Sequence, residues 1–260
     1  INTIISQSSN KLNEYGYIFK LHSCWFDSSF WILFANSNIA NFIRDNLDNT
    51  ISKELIYWLY LLLIDFYNDK NDYFDNISIK HEYLTQLSES IFKQTYGDAT
   101  GNPNEFIVNF LKLYLKSQIK ISNKFDNKGT GYYEFIDEYN NILRMQHTNI
   151  IFGNDIYITE IPNFTTEGYI INIGPHYTAF VKDKHDIWWY YDDKDDASIM
   201  DDLIYLQKHR RERITEKATI HKLDDYKADP NSSYKNYGNK TFAGYVFYYK
   251  SSGDISQSIK

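Results

Sequence analysis

The sequence predicts an α+β fold in which a helical lobe precedes an antiparallel β-sheet lobe, with a cleft between the two lobes. In the first half of the chain, apolar residues recur at three- and four-residue spacing, which is the period of amphipathic helices. After about residue 125, runs of Tyr, Ile, Phe, Val and Trp alternate with Gly, Pro, Asn and Asp, as strands and turns do. The 260 residues are 43% hydrophobic, which is enough for one packed core. We therefore expect a single domain over residues 1–260, helical to about residue 125 and β-rich from about residue 126.

The first predicted helix covers residues 24–36, with the sequence CWFDSSFWILFAN. Its bulky apolar residues recur at helical spacing, which predicts a buried helix with Cys24 in the first turn. Further helices are predicted over residues 39–47, 52–67, 82–94 and 103–117. The last of these has a clear start signal, because Asn102 can cap it, Pro103 suits the first helical position and Glu105 stands in capping-box register.

Strands of an antiparallel sheet are predicted over residues 131–144, 150–161, 168–173, 176–181, 187–192 and 242–250. A polar helix is expected at residues 198–213, followed by a turn-rich loop at residues 224–239. The polar segments 68–76 and 122–130 are predicted to be loops or insertions.

Composition excludes several classes of function. The chain has 27 basic and 34 acidic residues, a net charge of −7, which disfavours nucleic acid as a partner. Cys24 is the only cysteine, so an intramolecular disulfide and a zinc site built from paired cysteines are excluded, and no metal is expected. The longest apolar stretch, residues 55–66, is too short to span a bilayer, and the opening residues carry no secretory signal. We therefore expect an intracellular protein that does not associate with membranes; the sequence does not indicate its oligomeric state.

Cys24 is the candidate nucleophile. The start of a helix lowers the pKa of a thiol through the helix dipole and the free backbone N–H groups, and a nearby imidazole lowers it further. The alternative is that a single cysteine among Trp, Phe and Leu is a small core residue.

His176 is the candidate base, because GPHYTAFV places it after a Gly-Pro break at the start of a predicted strand. The next strand, IWWYYDD, returns after a turn, and a turn centred on Lys184 would place Asp192 across from His176. There the Asp192 carboxylate would accept the ring N–H and fix the tautomer. A change of one residue in the loop would favour Asp193 instead, so both carboxylates remain candidates.

Four sequence blocks occur in order along nearly the whole chain: LHSCWFDSSFWILF, NPNEF, GPHYTAFV with WWYYDD, and GYVFYY. Together they resemble the ubiquitin-specific protease family, cysteine deubiquitinases with a papain-like cysteine protease fold. The resemblance implies that Cys24 is the nucleophile, His176 the base and Asp192 the orienting carboxylate of an active-site cleft between the lobes. It also implies that the enzyme needs no cofactor.

The chain also departs from that family. Family members carry an Asn five or six residues before the cysteine to help hold the oxyanion, whereas Phe19 and Ile18 occupy those positions here. The second oxyanion donor is thus unassigned, with His22 and Ser23 as candidates. The paired cysteines of the family's zinc-binding fingers are absent from the sequence.

The implied partner is ubiquitin or a ubiquitin-like protein, cleaved after its C-terminal glycine. Candidate contacts with the substrate tail are Glu105, Pro175, Tyr177 and Trp188, although Glu105 can instead serve the helix cap and Trp188 can pack within its hairpin. Two alternatives stay open: a papain-like protease for a viral polyprotein or another modifier, and an inactive module that binds ubiquitin.

Overall fold

The computed structural model describes residues 1–8, 24–67, 101–152, 156–158, 160–173, 176–191, 220–222 and 240–253. The helices within these ranges are α1 Asn2–Ser8, α2 Cys24–Ala35, α3 Ser37–Asp45, α4 Lys53–Tyr67 and α5 Pro103–Tyr114. The strands are β1 Lys120–Phe125, β2 Gly131–Ile136, β3 Ile142–Phe152, β4 Ile156–Ile158, β5 Thr165–Ile173, β6 His176–Lys182, β7 Trp188–Tyr191, β8 Ile220–Lys222 and β9 Lys240–Lys250. The α+β class and the order of helices before strands are confirmed.

The strands form one sheet in the order β1-β2-β3-β9-β5-β6-β7, and every neighbouring pair along this path is antiparallel. Strand β4 pairs with the end of β3 and lies parallel to β8. The last strand, β9, is inserted between β3 and β5, so the C-terminal block GYVFYY lies in the middle of the sheet. This central position explains why Val246 and Phe247 are fully shielded from solvent.

The helices cover one face of the sheet. Every residue of α2 is buried, and the helix packs against β6 and β5. Side chains alternate across a strand, so Ala179 and Val181 belong to the core shared with α2, whereas Phe180 packs in a second, smaller cluster on the opposite face. Helices and sheet therefore share one main core, which positions α2 firmly on β6.

Three segments differ from the sequence-based prediction. The single strand predicted over 131–144 is two strands, β2 and β3, separated by a turn in which Asn140 has φ 63° and Asp137 accepts hydrogen bonds from the backbone of Tyr139 and Asn141. The loop predicted at 122–130 contains part of β1, an edge strand whose mostly exposed residues lack the alternation that marks a half-buried strand. Helix α1 was not predicted, because seven residues are too few to show a helical period.

Other predictions fall partly or wholly beyond the described part of the chain. The strand predicted over 150–161 corresponds to the end of β3 and to β4. The helices predicted at 82–94 and 198–213, and the loops predicted at 68–76 and 224–239, lie outside the described residues. No helix in the described ranges has both the length and the apolar character needed to cross a membrane.

Candidate active site

Helix α2 begins at Cys24 and runs parallel to strand β6. Two hydrogen bonds fix this direction: Ser28 Oγ donates to the carbonyl oxygen of Tyr177 at 3.1 Å, and Asn36 Nδ2, just after the helix, donates to that of Lys182 at 2.7 Å. The two donors and their two acceptors follow the same order along the chain. The start of α2 therefore lies at the same end of the pair as the start of β6.

This geometry brings Cys24 to the start of β6, within about one residue of the backbone of His176. A helix rises about 1.5 Å per residue, so Cys24 lies roughly 6 Å before Ser28 along the axis. A strand rises about 3.3 Å per residue, so that distance corresponds to about two positions before Tyr177. His176 is the first residue of β6, with its backbone paired to Ile173, and its side chain is outside the described part of the structure. The Cys24 side chain is 4% exposed.

Tyr177 lies on the face of the sheet that the helices cover, and its carbonyl oxygen accepts the hydrogen bond of Ser28, one helical turn after Cys24. It packs against the main core, and its hydroxyl oxygen accepts a hydrogen bond from Asn172 Nδ2 at 3.2 Å. Burial raises the pKa of the Tyr177 phenol, and the nearby Tyr245 and Cys24 side chains raise it further. Tyr177 is one of the candidate contacts with substrate predicted from the sequence, and in the structure it lies against the first part of α2.

Tyr245 and Asn172 were not identified from the sequence. Tyr245 is paired with Ile170 in the neighbouring strand, and its hydroxyl donates to Asn102 Oδ1 at 3.2 Å. Asn102 also caps α5, because the same oxygen accepts from the backbone N–H of Asn104 at 2.9 Å. The alternation within GYVFYY was the available signal for Tyr245, and a polar residue interrupting the apolar run YIINI was the signal for Asn172.

The other predicted contacts are placed as follows. Glu105 lies in the first turn of α5 and is partly exposed. Trp188 pairs with Lys182, at the end of β6 away from His176, and its ring packs against Tyr169 in the cluster on the opposite face. The structure therefore does not bring Trp188 together with Cys24, because the alternation of β7 turns it to the other side of the sheet. The remaining candidates lie outside the described residues: His22, Ser23, Pro175, Asp192 and Asp193.

The register predicted for the β6–β7 hairpin was wrong by two residues. Facing His176 with Asp192 requires Ala179 to face Trp189, whereas Ala179 faces Tyr191. The turn is responsible, because the backbone N–H of Asp183 bonds to the carbonyl of Ile187 at 2.8 Å and so centres the turn one residue later than predicted. Because this offset is an even number of residues, each side chain of β7 stays on the face of the sheet that the predicted register gave it.

The start of α2 is packed tightly against the residue that precedes the cap of α5. A Cβ added at Gly101 would lie 2.2 Å from Cε2 of Trp25, the residue after Cys24. We expect Gly101→Ala to lower the free energy of unfolding by about 1–3 kcal/mol, because the ring must shift to relieve the overlap. Urea unfolding measures the change, and Gly131→Ala, where the new carbon would meet its nearest neighbour at 3.6 Å, is the matched control. Equal stability of the two variants would contradict the close approach.

Within the described ranges, no three His, Cys, Asp or Glu side chains are grouped as metal ligands would be. The chain matches no protein-family profile, no curated protein and no solved structure. The described side chains of the site are a thiol at the start of a buried helix, two phenols and a carboxamide.

Proposed function

We propose that this chain is a cysteine protease of papain-like architecture that hydrolyses the bond after the C-terminal glycine of ubiquitin or a ubiquitin-like modifier. The observation that carries the proposal is the position of Cys24 at the first residue of α2, within about one residue of the backbone of His176 at the start of β6. Residues 24 and 176 are far apart in sequence. The residue predicted as nucleophile and the residue predicted as base thus lie at the same end of α2 and β6.

The proposed reaction is covalent catalysis. The Cys24 thiolate attacks the carbonyl carbon of the scissile bond, so that a C–S bond forms and the π electrons of the carbonyl move to its oxygen. When the intermediate collapses, the C–N bond breaks and the His176 imidazolium gives its proton to the departing amine. Water then attacks the thioester while the imidazole takes the proton of that water, and the carboxylate product leaves Cys24 free to react again.

The substrate class follows from the resemblance of the four sequence blocks and from the surroundings of Cys24. The Tyr177 side chain, next to Cys24, and the Tyr245 side chain, near Tyr177, are both only partly buried. One aromatic ring near the nucleophile, with a second ring near the first, favours a substrate tail of residues without side chains, as in a terminal Gly-Gly sequence. The whole chain is the catalytic domain in this proposal.

The experiment that tests the proposal is covalent labelling with a ubiquitin whose C-terminus carries an electrophile, run beside equivalent probes for other modifiers. We expect one modifier probe to add a single adduct at Cys24, located by peptide mass spectrometry. Cys24→Ala, checked for folding by circular dichroism, should abolish that adduct. Absence of labelling by every modifier probe, combined with cleavage of an unrelated peptide, would point instead to a polyprotein protease.

A second candidate function is supported by one observation. Cys24 is only 4% exposed, as a cysteine used purely for packing would be. In that case the chain is a module that binds ubiquitin without cleaving it. Micromolar binding of ubiquitin by isothermal titration calorimetry, with neither labelling nor turnover, would favour this second function.

A further inference from the structure

Most of the hydroxyl groups near the start of α2 donate a hydrogen bond to another group of the protein. Three of them, on Ser28, Ser29 and Tyr245, are donated to acceptors within the protein. These acceptors are the carbonyl oxygens of Tyr177 and Trp25 and the amide oxygen of Asn102. None of the three hydroxyls can therefore donate a hydrogen bond to a substrate unless its present hydrogen bond within the protein is broken.

Tyr177 is different, because its hydroxyl acts as an acceptor. Its oxygen receives the Nδ2–H of Asn172 at 3.2 Å, so its own proton must be directed away from that amide. Among the residues that the structure describes, this hydroxyl donates no hydrogen bond. The orientation of Asn172 is itself unusual, since its Oδ1 is buried and has no hydrogen-bond partner. Turning the amide round would satisfy that oxygen but would also consume the Tyr177 proton.

We propose that the Tyr177 hydroxyl donates a hydrogen bond to the oxyanion formed when Cys24 attacks the substrate carbonyl. The inference rests on the proposed function and supplies the oxyanion donor that the sequence left unassigned. Only a hydrogen bond is involved: the proton stays on Tyr177 throughout, while the electron pair of the carbonyl moves onto the oxygen and returns when the C–N bond breaks. Asn172 acts as a positioning residue by holding the phenol as an acceptor.

Two properties suit Tyr177 to this role. A donor aimed at developing charge acts most strongly in a site from which water is partly excluded, and Tyr177 is half-buried against the main core. Burial, together with Tyr245 and Cys24, raises the pKa of this phenol. It therefore keeps its proton throughout the pH range in which a cysteine protease works.

The first test is Tyr177→Phe, which removes only the hydroxyl. We expect kcat for a fluorogenic ubiquitin substrate, or for whichever modifier labels Cys24, to fall by about 10²–10³-fold, with KM changed less than threefold. The matched control is Tyr133→Phe on β2, which is separated from β6 by three strands of the sheet. The Tyr133 hydroxyl also accepts a hydrogen bond from an asparagine, Asn123 Nδ2 at 3.4 Å, and it has no role in the proposed reaction. This control should keep kcat within about threefold of wild type. Thermal unfolding of both variants separates loss of folding from loss of the donor.

The second test reverses the bond between the two side chains. Asn172→Asp replaces the Nδ2–H donor with an acceptor, so the Tyr177 proton is drawn to the new carboxylate. We expect kcat to fall nearly as far as in Tyr177→Phe, and the double variant to lose no more than Tyr177→Phe alone. Independent losses that multiply in the double variant would contradict the positioning role.

The result that overturns the inference is a Tyr177→Phe variant that folds and turns over at the wild-type rate while Cys24→Ala is inactive. In that case the proposed function stands and the oxyanion donor lies elsewhere. If the wild-type protein shows neither labelling nor turnover, the proposed function is wrong, and this inference is then wrong as well because it depends on that function.

Discussion

Replacing His176 with alanine is expected to lower kcat/KM for the modifier substrate by about 10⁴-fold or more, while the protein stays folded. The effect should be this large because the imidazole is required twice, once to activate the Cys24 thiol and once to protonate the leaving amine. His176 is the first residue of β6, and its backbone lies at the end of this strand where α2 begins. Steady-state hydrolysis and thermal unfolding measure the two parts of this prediction.

His147→Ala is the matched control. His147 is an exposed histidine on β3 whose ring contacts that of Tyr245, with 5.4 Å between the centroids, and it has no role in the proposed reaction. Its removal should change kcat/KM less than threefold. Retention of more than a tenth of the activity in the His176 variant, or a large loss in the His147 variant, would show that the base has been misidentified.

The two candidate orienting carboxylates can be separated in the same assay. We expect one of Asp192→Asn and Asp193→Asn to cost less than His176→Ala but clearly more than the other, because orienting the base is one part of the catalytic unit.

Phe30→Ala is expected to lower the free energy of unfolding by about 3–5 kcal/mol. Phe30 is fully buried in the middle of α2 and is surrounded by the rings of Phe26, Phe34, Phe66 and Phe110, at centroid distances of 5.5, 4.6, 5.4 and 6.3 Å. These rings come from three helices, so a single truncation opens a cavity that no one element can close. A loss of this size is a large share of the stability of a typical domain.

Urea unfolding followed by tryptophan fluorescence measures this change, and Tyr57→Ala provides the comparison. Tyr57 lies on α4 with 57% of its surface exposed, so its truncation should change stability by no more than about 0.5 kcal/mol. A Phe30 variant within 1 kcal/mol of wild type would mean that the aromatic cluster is not packed as described.

The parts of the fold that could be predicted from sequence are those with a strong local period. Helices α2 to α5 were predicted within a few residues of their observed bounds, because each has apolar residues at helical spacing and α5 also has a start signal in the Asn102 cap. Strand β1 was missed because an exposed edge strand buries neither face and so leaves no alternation. The turn at Asn140 was missed because a left-handed residue other than glycine gives little warning in the sequence.

Within the site, the candidate nucleophile and base could be named from sequence because each stands at the first residue of its element. What joins them is not local: the bond from Ser28 to Tyr177 and the bond from Asn36 to Lys182 connect residues more than 140 positions apart. The register of the β6–β7 hairpin depends on its turn, in which Asp186 has φ 60°. Because the centre of this turn was predicted one residue too early, every predicted pair of facing residues was wrong by two. The direction in which Tyr177 uses its hydroxyl depends on Asn172, and no sequence pattern encodes it.

The central place of β9 sets the order in which this protein can be assembled on the ribosome. Until Lys240–Lys250 has emerged, strands β1-β2-β3 and β5-β6-β7 are two separate ribbons with no shared backbone bonds along the main path. Tyr245, which connects the sheet to the cap of α5, lies on this strand and is therefore synthesised after the other described strands and helices. The sheet therefore cannot be completed, and the site proposed for catalysis cannot be held in place, before residues 240–250 have been synthesised.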